Sequence, residues 1–176
     1  NNLGVGAGVA LGLKSKSEKK ITCIVTGDGA MEEGSFYETL LILSSLKLPS
    51  LIVIENNGWS LGTKIEERRC KIDTKRLVQS LGGIYIKLKD NNIFNYIEKI
   101  TELREIALKK NYIVVVEIVL TTLGDWMLKS DKSSNGKFIK AQNTLENIQL
   151  VDSQMYVQKY CQVLVENKLA GKEKYF

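Results

Sequence analysis

The segment that decides the fold is GDGAMEEG, residues 27–34, which follows the apolar run ITCIVT at residues 21–26. A second apolar run, LIVI at residues 51–54, leads in the same way into ENNGW at residues 55–59. Short β-branched runs without alternation are typical of parallel strands that are covered on both faces. The pattern predicts two neighbouring parallel strands, each ending in a polar segment at the edge where such sheets bind ligands.

The residue types at these two strand ends favour a phosphate and a divalent cation. Gly27, Gly29 and the small Ala30 let backbone N–H groups approach an anion, and a helix beginning shortly after Gly29 points its positive end there. Asp28 repels that anion unless a hard cation lies between them, and Mg²⁺ prefers such oxygen ligands. Asn57 can add an amide oxygen and Trp59 a backbone carbonyl. Each motif alone is also typical of an ordinary turn, so the prediction depends on their occurring together.

The spacing from Gly27-Asp28-Gly29 to Asn56-Asn57 resembles the thiamine diphosphate motif. More closely, residues 27–63, GDGAMEEGSFYETLLILSSLKLPSLIVIENNGWSLGT, are similar to the α subunit of E1-type 2-oxo acid dehydrogenases, and the resemblance extends over roughly residues 3–120. Transketolases share this cofactor domain but usually lack the Leu48-Pro49 and Glu55-Asn56-Asn57 forms. The resemblance implies an α/β fold with a mostly parallel sheet and helices on both faces. It also implies thiamine diphosphate and Mg²⁺ as cofactors.

Three further assignments come from this resemblance. The backbone carbonyl of Leu3 matches the position that holds the aminopyrimidine ring of the cofactor. Glu33 matches an acidic position that links paired active sites, although its place in the first turn of a helix also explains a negative charge. The charged stretch 60–71 matches a loop that approaches the cofactor mouth, and a solvated loop is the alternative interpretation of its Glu66-Glu67-Arg68-Arg69 run.

The resemblance also implies a partner. The glutamate that activates the cofactor in this family belongs to a pyrimidine-binding domain or β subunit, and the chain contains no histidine to assist catalysis. Three hypotheses stay open. The chain is the cofactor-holding component of an E1-like enzyme acting on a 2-oxo acid, the amino-terminal part of a split transketolase-like enzyme acting on a ketose, or a degenerate domain that only binds a partner.

Composition bounds the remaining possibilities. The 176 residues suffice for one domain, expected at 1–140 with a helical tail at 141–176, and the opening at Asn1 suggests an amino-terminal truncation. The sequence contains no run of about 18 apolar residues, so we expect no membrane span. The Lys and Arg residues behind the net charge of +5 are interspersed with Asp and Glu, which disfavours nucleic-acid binding. Three scattered cysteines, with Cys23 expected in the core, favour a reducing cytoplasm.

The periodicity predicts helices at 33–46, 74–81, 93–109 and 151–168, and strands at 84–86 and 112–119.

Overall fold

A computed structural model describes residues 2–60, 63–89 and 92–120, together with the backbone of residues 126–129 and 138–142. Helices and strands alternate through residue 119, as a doubly wound fold requires. The helices are α1 (Asn2–Ser15), α2 (Gly34–Ser45), α3 (Ile65–Arg68), α4 (Thr74–Ser80) and α5 (Ile93–Lys110). The strands are β1 (Thr22–Gly27), β2 (Ser50–Asn56), β3 (Trp59–Ser60), β4 (Thr63–Lys64), β5 (Ile84–Leu88), β6 (Ile113–Val119), β7 (Trp126–Lys129) and β8 (Phe138–Gln142).

The central sheet has four parallel strands in the order β1-β2-β6-β5. Its registers pair Gly27 of β1 with Glu55 of β2, and Glu55 with Ile118 of β6. The carboxyl ends of β1, β2 and β6 therefore lie along one edge of the sheet. This arrangement confirms the predicted α/β fold with a parallel sheet. Two short antiparallel ribbons, β3 with β4 and β7 with β8, are additional to it.

Alternate residues of the central strands enter two apolar clusters, one on each face of the sheet. On one face Ile52, Ile54 and Val115 pack with side chains of α1, α2 and α4, among them the fully buried Phe36 of α2. On the other face Leu51, Val53, Val114 and Val116 pack with Leu103 and Ala107 of α5. Helices cover both faces, as predicted, because β2 and β6 have no polar face to leave in water.

One expectation differs from the structure, at β1. Cys23 is exposed rather than in the core, because β1 is an edge strand of the described sheet and its residues alternate between buried and exposed. A 3₁₀ turn over Asp28–Glu32 also separates β1 from α2, which begins only at Gly34. The helix predicted at 33–46 begins at Gly34 and ends at Ser45, close to the expected bounds.

Several predictions concern the carboxyl-terminal part of the chain. Three of them fall on residues that the structure does not describe, and they stay predictions. They are the helix expected at 151–168, the domain boundary between 1–140 and 141–176, and a reduced thiol at Cys161. Among the described residues, no helix combines the length and apolar character that a membrane crossing requires.

Candidate functional site

The site begins where β1 and β2 end. Asp28 directly follows Gly27, and Asn57 comes two residues after Glu55, the partner of Gly27 in the parallel register. Neighbouring strands in a sheet lie about 4.8 Å apart. The topology thus brings Asp28 and Asn57, the predicted metal-binding residues, to the tips of adjacent strands, because β1 and β2 are the neighbouring parallel strands that the sequence predicts.

Asp28 is a buried carboxylate in a cluster of opposite charges. The residue is 2% exposed, and its Oδ2 lies 2.7 Å from Nη2 of Arg68. Arg68 also reaches Oε1 of Glu32 through Nη1 at 2.6 Å, and Arg69 Nε lies 3.2 Å from the same oxygen. Burial raises the pKa of the Asp28 carboxyl, and the hydrogen bond and charge of Arg68 offset only part of that effect. The charged form of Asp28 therefore requires a nearby cation.

The loop after β2 is held by two consecutive side-chain turns. Asn56 Oδ1 accepts a hydrogen bond from Gly58 N, and Asn57 Oδ1 accepts one from Trp59 N, both at 2.9 Å. Gly58 has a φ of +78°, a conformation that L-residues with side chains rarely adopt. Because an amide oxygen has two lone pairs, Asn57 keeps one acceptor position beyond its own turn.

A second buried carboxylate, which the sequence interpretation missed, supports this loop. Glu117 of β6 is 4% exposed and accepts hydrogen bonds from Tyr85 Oη at 2.5 Å, Lys87 Nζ at 2.7 Å and Asn56 Nδ2 at 2.8 Å. Burial alone would raise the pKa of Glu117, but these three hydrogen bonds and the Lys87 charge outweigh burial and lower it. The pKa of Tyr85 is raised by burial and by its bond to Glu117. The only sign of this residue in the sequence is a single charged side chain within the apolar strand predicted at 112–119.

The residues at the strand tips fit a hard divalent cation. They offer a buried carboxylate, an amide oxygen with a free lone pair and the nearby backbone of Trp59, which is the oxygen chemistry that Mg²⁺ prefers. No group of three or more His, Cys, Asp or Glu side chains in the described ranges could hold a metal ion. A magnesium site here would therefore depend on Asp28, Asn57, a backbone carbonyl and oxygens of the ligand itself.

The other predicted site residues are distributed around this point. Gly29 has no room for a side chain, because a Cβ there would lie 2.5 Å from Ser60 Oγ. Ala30 packs against the core, and the side chain of Leu3, in the first turn of α1, is buried in the same core cluster, which leaves only its backbone for a ligand. Glu33 is exposed and accepts a hydrogen bond from Ser35 at 3.2 Å. The structure brings Glu32, not Glu33, into the Asp28 cluster.

Within the run Glu66 to Arg69 the two glutamates are exposed, as a solvated segment would be, but the two arginines are not. The side chains of Arg68 and Arg69 are only 11% and 13% exposed and face the Asp28 cluster. A cleft of about 770 Å³ lies beside Arg69, and Asn56, Tyr85, Lys87 and Glu117 are among the other residues that line it. The stretch therefore forms one wall of a cavity at the carboxyl edge of the sheet.

The sequence and the fold can both be compared with known proteins. The sequence profile of the family described as "Dehydrogenase E1 component" matches residues 2–125. Among curated proteins, the pyruvate dehydrogenase E1 component subunit alpha of Bacillus subtilis is 24% identical over 140 residues, covering 80% of this chain and 38% of the relative. That of Bacillus cereus is 37% identical over 82 residues, covering 46% of this chain and 22% of the relative. The chain thus spans well under half the length of these relatives.

Solved structures show the same fold. A transketolase mutant from Pichia stipitis has a TM-score of 0.59 at 20% identity, covering 70% of this chain and 19% of the other. A second mutant of that enzyme gives 0.58 at 19% identity, covering 68% and 20%. At this level of sequence identity the likeness concerns the fold alone.

Proposed function

Because the chain belongs to the dehydrogenase E1 component family, we propose that it binds thiamine diphosphate together with Mg²⁺ at the tips of β1 and β2. The observation that carries the proposal is the placement of the buried Asp28 beside the Asn57 loop, in a family that depends on thiamine diphosphate. The proposed substrate is a 2-oxo acid, and the chain acts as the cofactor-holding component of an E1-like enzyme.

The cofactor supplies the carbon nucleophile and electron sink for cleaving a bond next to a carbonyl. In our proposal Asp28, Asn57 and the Trp59 carbonyl hold the cation, which neutralises the diphosphate. The backbone at Gly27, Gly29 and Ala30 approaches the phosphate oxygens. Glu117 fixes Asn56 and thereby the loop that carries Asn57.

The remaining groups are assigned from the family resemblance. The Leu3 carbonyl holds the aminopyrimidine ring, and Glu33 belongs to an acidic connection between paired active sites. The exposure of Glu33 fits a residue that meets a neighbouring subunit rather than the metal. A pyrimidine-binding, β-like chain supplies the glutamate that activates the cofactor. The free thiols of Cys23 and Cys70 favour a cytoplasmic location for this hetero-oligomer.

The direct test is a calorimetric titration of thiamine diphosphate into the protein with and without Mg²⁺. Wild-type protein should bind the cofactor only when the metal is present, and Asp28→Ala should abolish that binding. Glu18→Ala is the matched control, because Glu18 precedes β1 at the opposite edge of the sheet and pairs with Lys20. Circular dichroism confirms that each variant is folded. Unchanged affinity in folded Asp28→Ala would contradict the assignment.

The same titration separates the alternatives. A degenerate domain would bind neither metal nor cofactor. A split transketolase-like enzyme would bind both, but with a partner chain it would turn over a ketose phosphate rather than a 2-oxo acid.

A further inference from the structure

Arg68 already neutralises the carboxylate that the proposed metal requires. Its Nη2 lies 2.7 Å from Asp28 Oδ2 and its Nη1 lies 2.6 Å from Glu32 Oε1, so the guanidinium spans both carboxylates. The side chain is 11% exposed, and within the described part of the chain its buried Nε has no hydrogen-bond partner. A guanidinium that leaves one buried donor unmatched is not optimally satisfied where it lies.

The position of Arg68 is tied to the loop that carries Asn57. Arg68 ends the short helix α3, whose first residue, Ile65, donates its N–H to Gly58 O at 3.0 Å. Glu67 of the same helix accepts a hydrogen bond from Lys64 N at 2.8 Å. The helix bearing Arg68 is thus hydrogen-bonded directly to the proposed metal loop.

We propose that Arg68 is a resident counter-cation for Asp28, which competes with the divalent metal for Oδ2 and must release it when metal and cofactor bind. The inference rests on the proposed function. The Asp28 carboxylate has about four lone-pair sites, but a guanidinium and a divalent cation on the same buried carboxylate would lie within a few ångströms of each other, where their repulsion is weakly screened. Glu32 gives Arg68 a place to remain after this exchange, because the second arm of the fork is already bonded there. Arg68 is therefore a residue that sets metal affinity.

Arg69 provides a matched control. It carries the same charge one residue later, has a similar exposure of 13% and bonds Glu32, but among the described residues its hydrogen bonds do not include Asp28. Replacing either arginine by glutamine removes one positive charge from the cluster. Only Arg68→Gln removes the group that occupies Asp28 Oδ2.

The test uses Mn²⁺ alone as the probe, with free Mn²⁺ counted by electron paramagnetic resonance in wild-type protein, Arg68→Gln and Arg69→Gln. Competition predicts that Arg68→Gln binds Mn²⁺ on the order of tenfold more tightly than wild type, since a hydrogen bond to a charged group corresponds to about one decade of affinity or more. Arg69→Gln should change the affinity by about twofold or less, because its charge is farther from Asp28. Saturating Mn²⁺ should also raise the melting temperature of Arg68→Gln more than that of wild type.

Each outcome decides between the possibilities. Equal tightening in both variants would show a general charge effect, and unchanged or weaker binding in Arg68→Gln would show that Arg68 does not compete; either result overturns the inference while leaving the metal site intact. The three titrations are repeated with saturating thiamine diphosphate, and absence of Mn²⁺ binding in all three proteins under both conditions overturns the proposed function as well. Should Arg68→Gln fail to fold, Arg68→Lys keeps the charge but loses the two-armed fork. Competition then predicts an intermediate tightening, and unchanged affinity contradicts it.

Discussion

Glu117 shows how one side chain connects the sheet with the proposed metal loop. It collects three donors from β5 and from the end of β2, and one of them, Asn56, in turn accepts a hydrogen bond from Gly58 N. Buried polar groups stabilise a fold only when their partners are all in place. The network therefore supports the loop and does not itself contact the proposed metal site.

Removing one donor measures this support. Tyr85→Phe deletes the hydroxyl that donates to Glu117 and leaves the ring, so we expect a loss of about 1–2 kcal/mol in the free energy of unfolding by urea. Tyr112→Phe is the control, because Tyr112 is 42% exposed and its ring contacts Lys110; that change should cost less than about 0.5 kcal/mol. Equal effects in both variants would show that the Tyr85 hydroxyl is not a supporting group.

The lowered pKa of Glu117 gives the network a characteristic pH dependence. A carboxyl whose pKa is lower in the folded than in the unfolded state stabilises the fold fully above its unfolded value, and that contribution is lost as the pH falls through the folded value. For Glu117 the loss begins below the ordinary value of 4.5. Asp28 has the opposite sign, because its raised pKa makes the folded state relatively more stable as the pH falls.

A comparison with Glu117→Gln isolates this contribution. The unfolding free energy of wild type should fall relative to that of Glu117→Gln between about pH 5 and pH 3, measured by urea denaturation at each pH. The Asp28 contribution is present in both proteins and cancels in the difference. Parallel pH profiles would mean that the carboxylate of Glu117 is not stabilised by its three donors.

At the scale of elements, the packing of α1 on β1 depends on a single glycine. A Cβ on Gly6 would lie 2.4 Å from both Cγ1 and Cδ1 of Ile24, which is 3% exposed in the core. Gly8 lies in the same helix and is exposed, and a Cβ added there would meet no atom of the described residues within 4 Å. The close approach of α1 to β1 therefore requires a glycine at Gly6 but not at Gly8.

These two glycines form a matched pair for mutation. Gly6→Ala should lower the unfolding free energy by about 1 kcal/mol, because an overpacking cost of about 1–3 kcal/mol exceeds the gain in helix propensity. Gly8→Ala should raise it by about 0.5–1 kcal/mol, because only the propensity changes. Thermal denaturation of both variants checks the pair, and stabilisation by both would show that α1 does not require the close contact at Gly6.

Local signals in the sequence predicted the elements well. The helix predicted at 74–81 is α4, and Asp73 directly before it caps the helix by accepting a hydrogen bond from Arg76 N at 3.0 Å. Such signals act over a few residues, so they can be read directly from the chain. Arg68 and Asp28 are 40 positions apart, and Glu117 and Asn56 are 61 apart. Nothing local distinguishes these ion pairs and hydrogen bonds from solvated charges, so their part in the site appeared only with the fold.

Edge position is another property of the whole sheet rather than of a strand. The β1 sequence is rich in apolar residues like that of β2, yet β1 has only one neighbour in the described sheet and leaves Cys23 and Val25 exposed. Composition predicted both strands but could not predict their order. The exposure of Cys23 follows from that order.

On the scale of the whole molecule, large apolar side chains remain exposed on the layer formed by α1 and α2. They include Val5, Val9 and Leu11 of α1 and Leu41 and Ile42 of α2, each at least 45% exposed. An exposed apolar group of this kind is typical of surfaces that meet another protein. It supports the proposal that the chain works with a pyrimidine-binding partner.

The proposed partner leads to the last prediction. If the proposal holds, the protein alone should bind thiamine diphosphate and Mg²⁺ but should not consume a 2-oxo acid, because the proposal assigns the activating glutamate to the partner and the chain contains no histidine. Adding a β-like chain should produce decarboxylation, measured as released carbon dioxide. Asp28→Ala mixed with the same partner is the control: it should still form the complex, detected by size-exclusion chromatography, and remain inactive because the cofactor is not held. Turnover by the wild-type chain without a partner would show that the described strand tips belong to a self-sufficient active site.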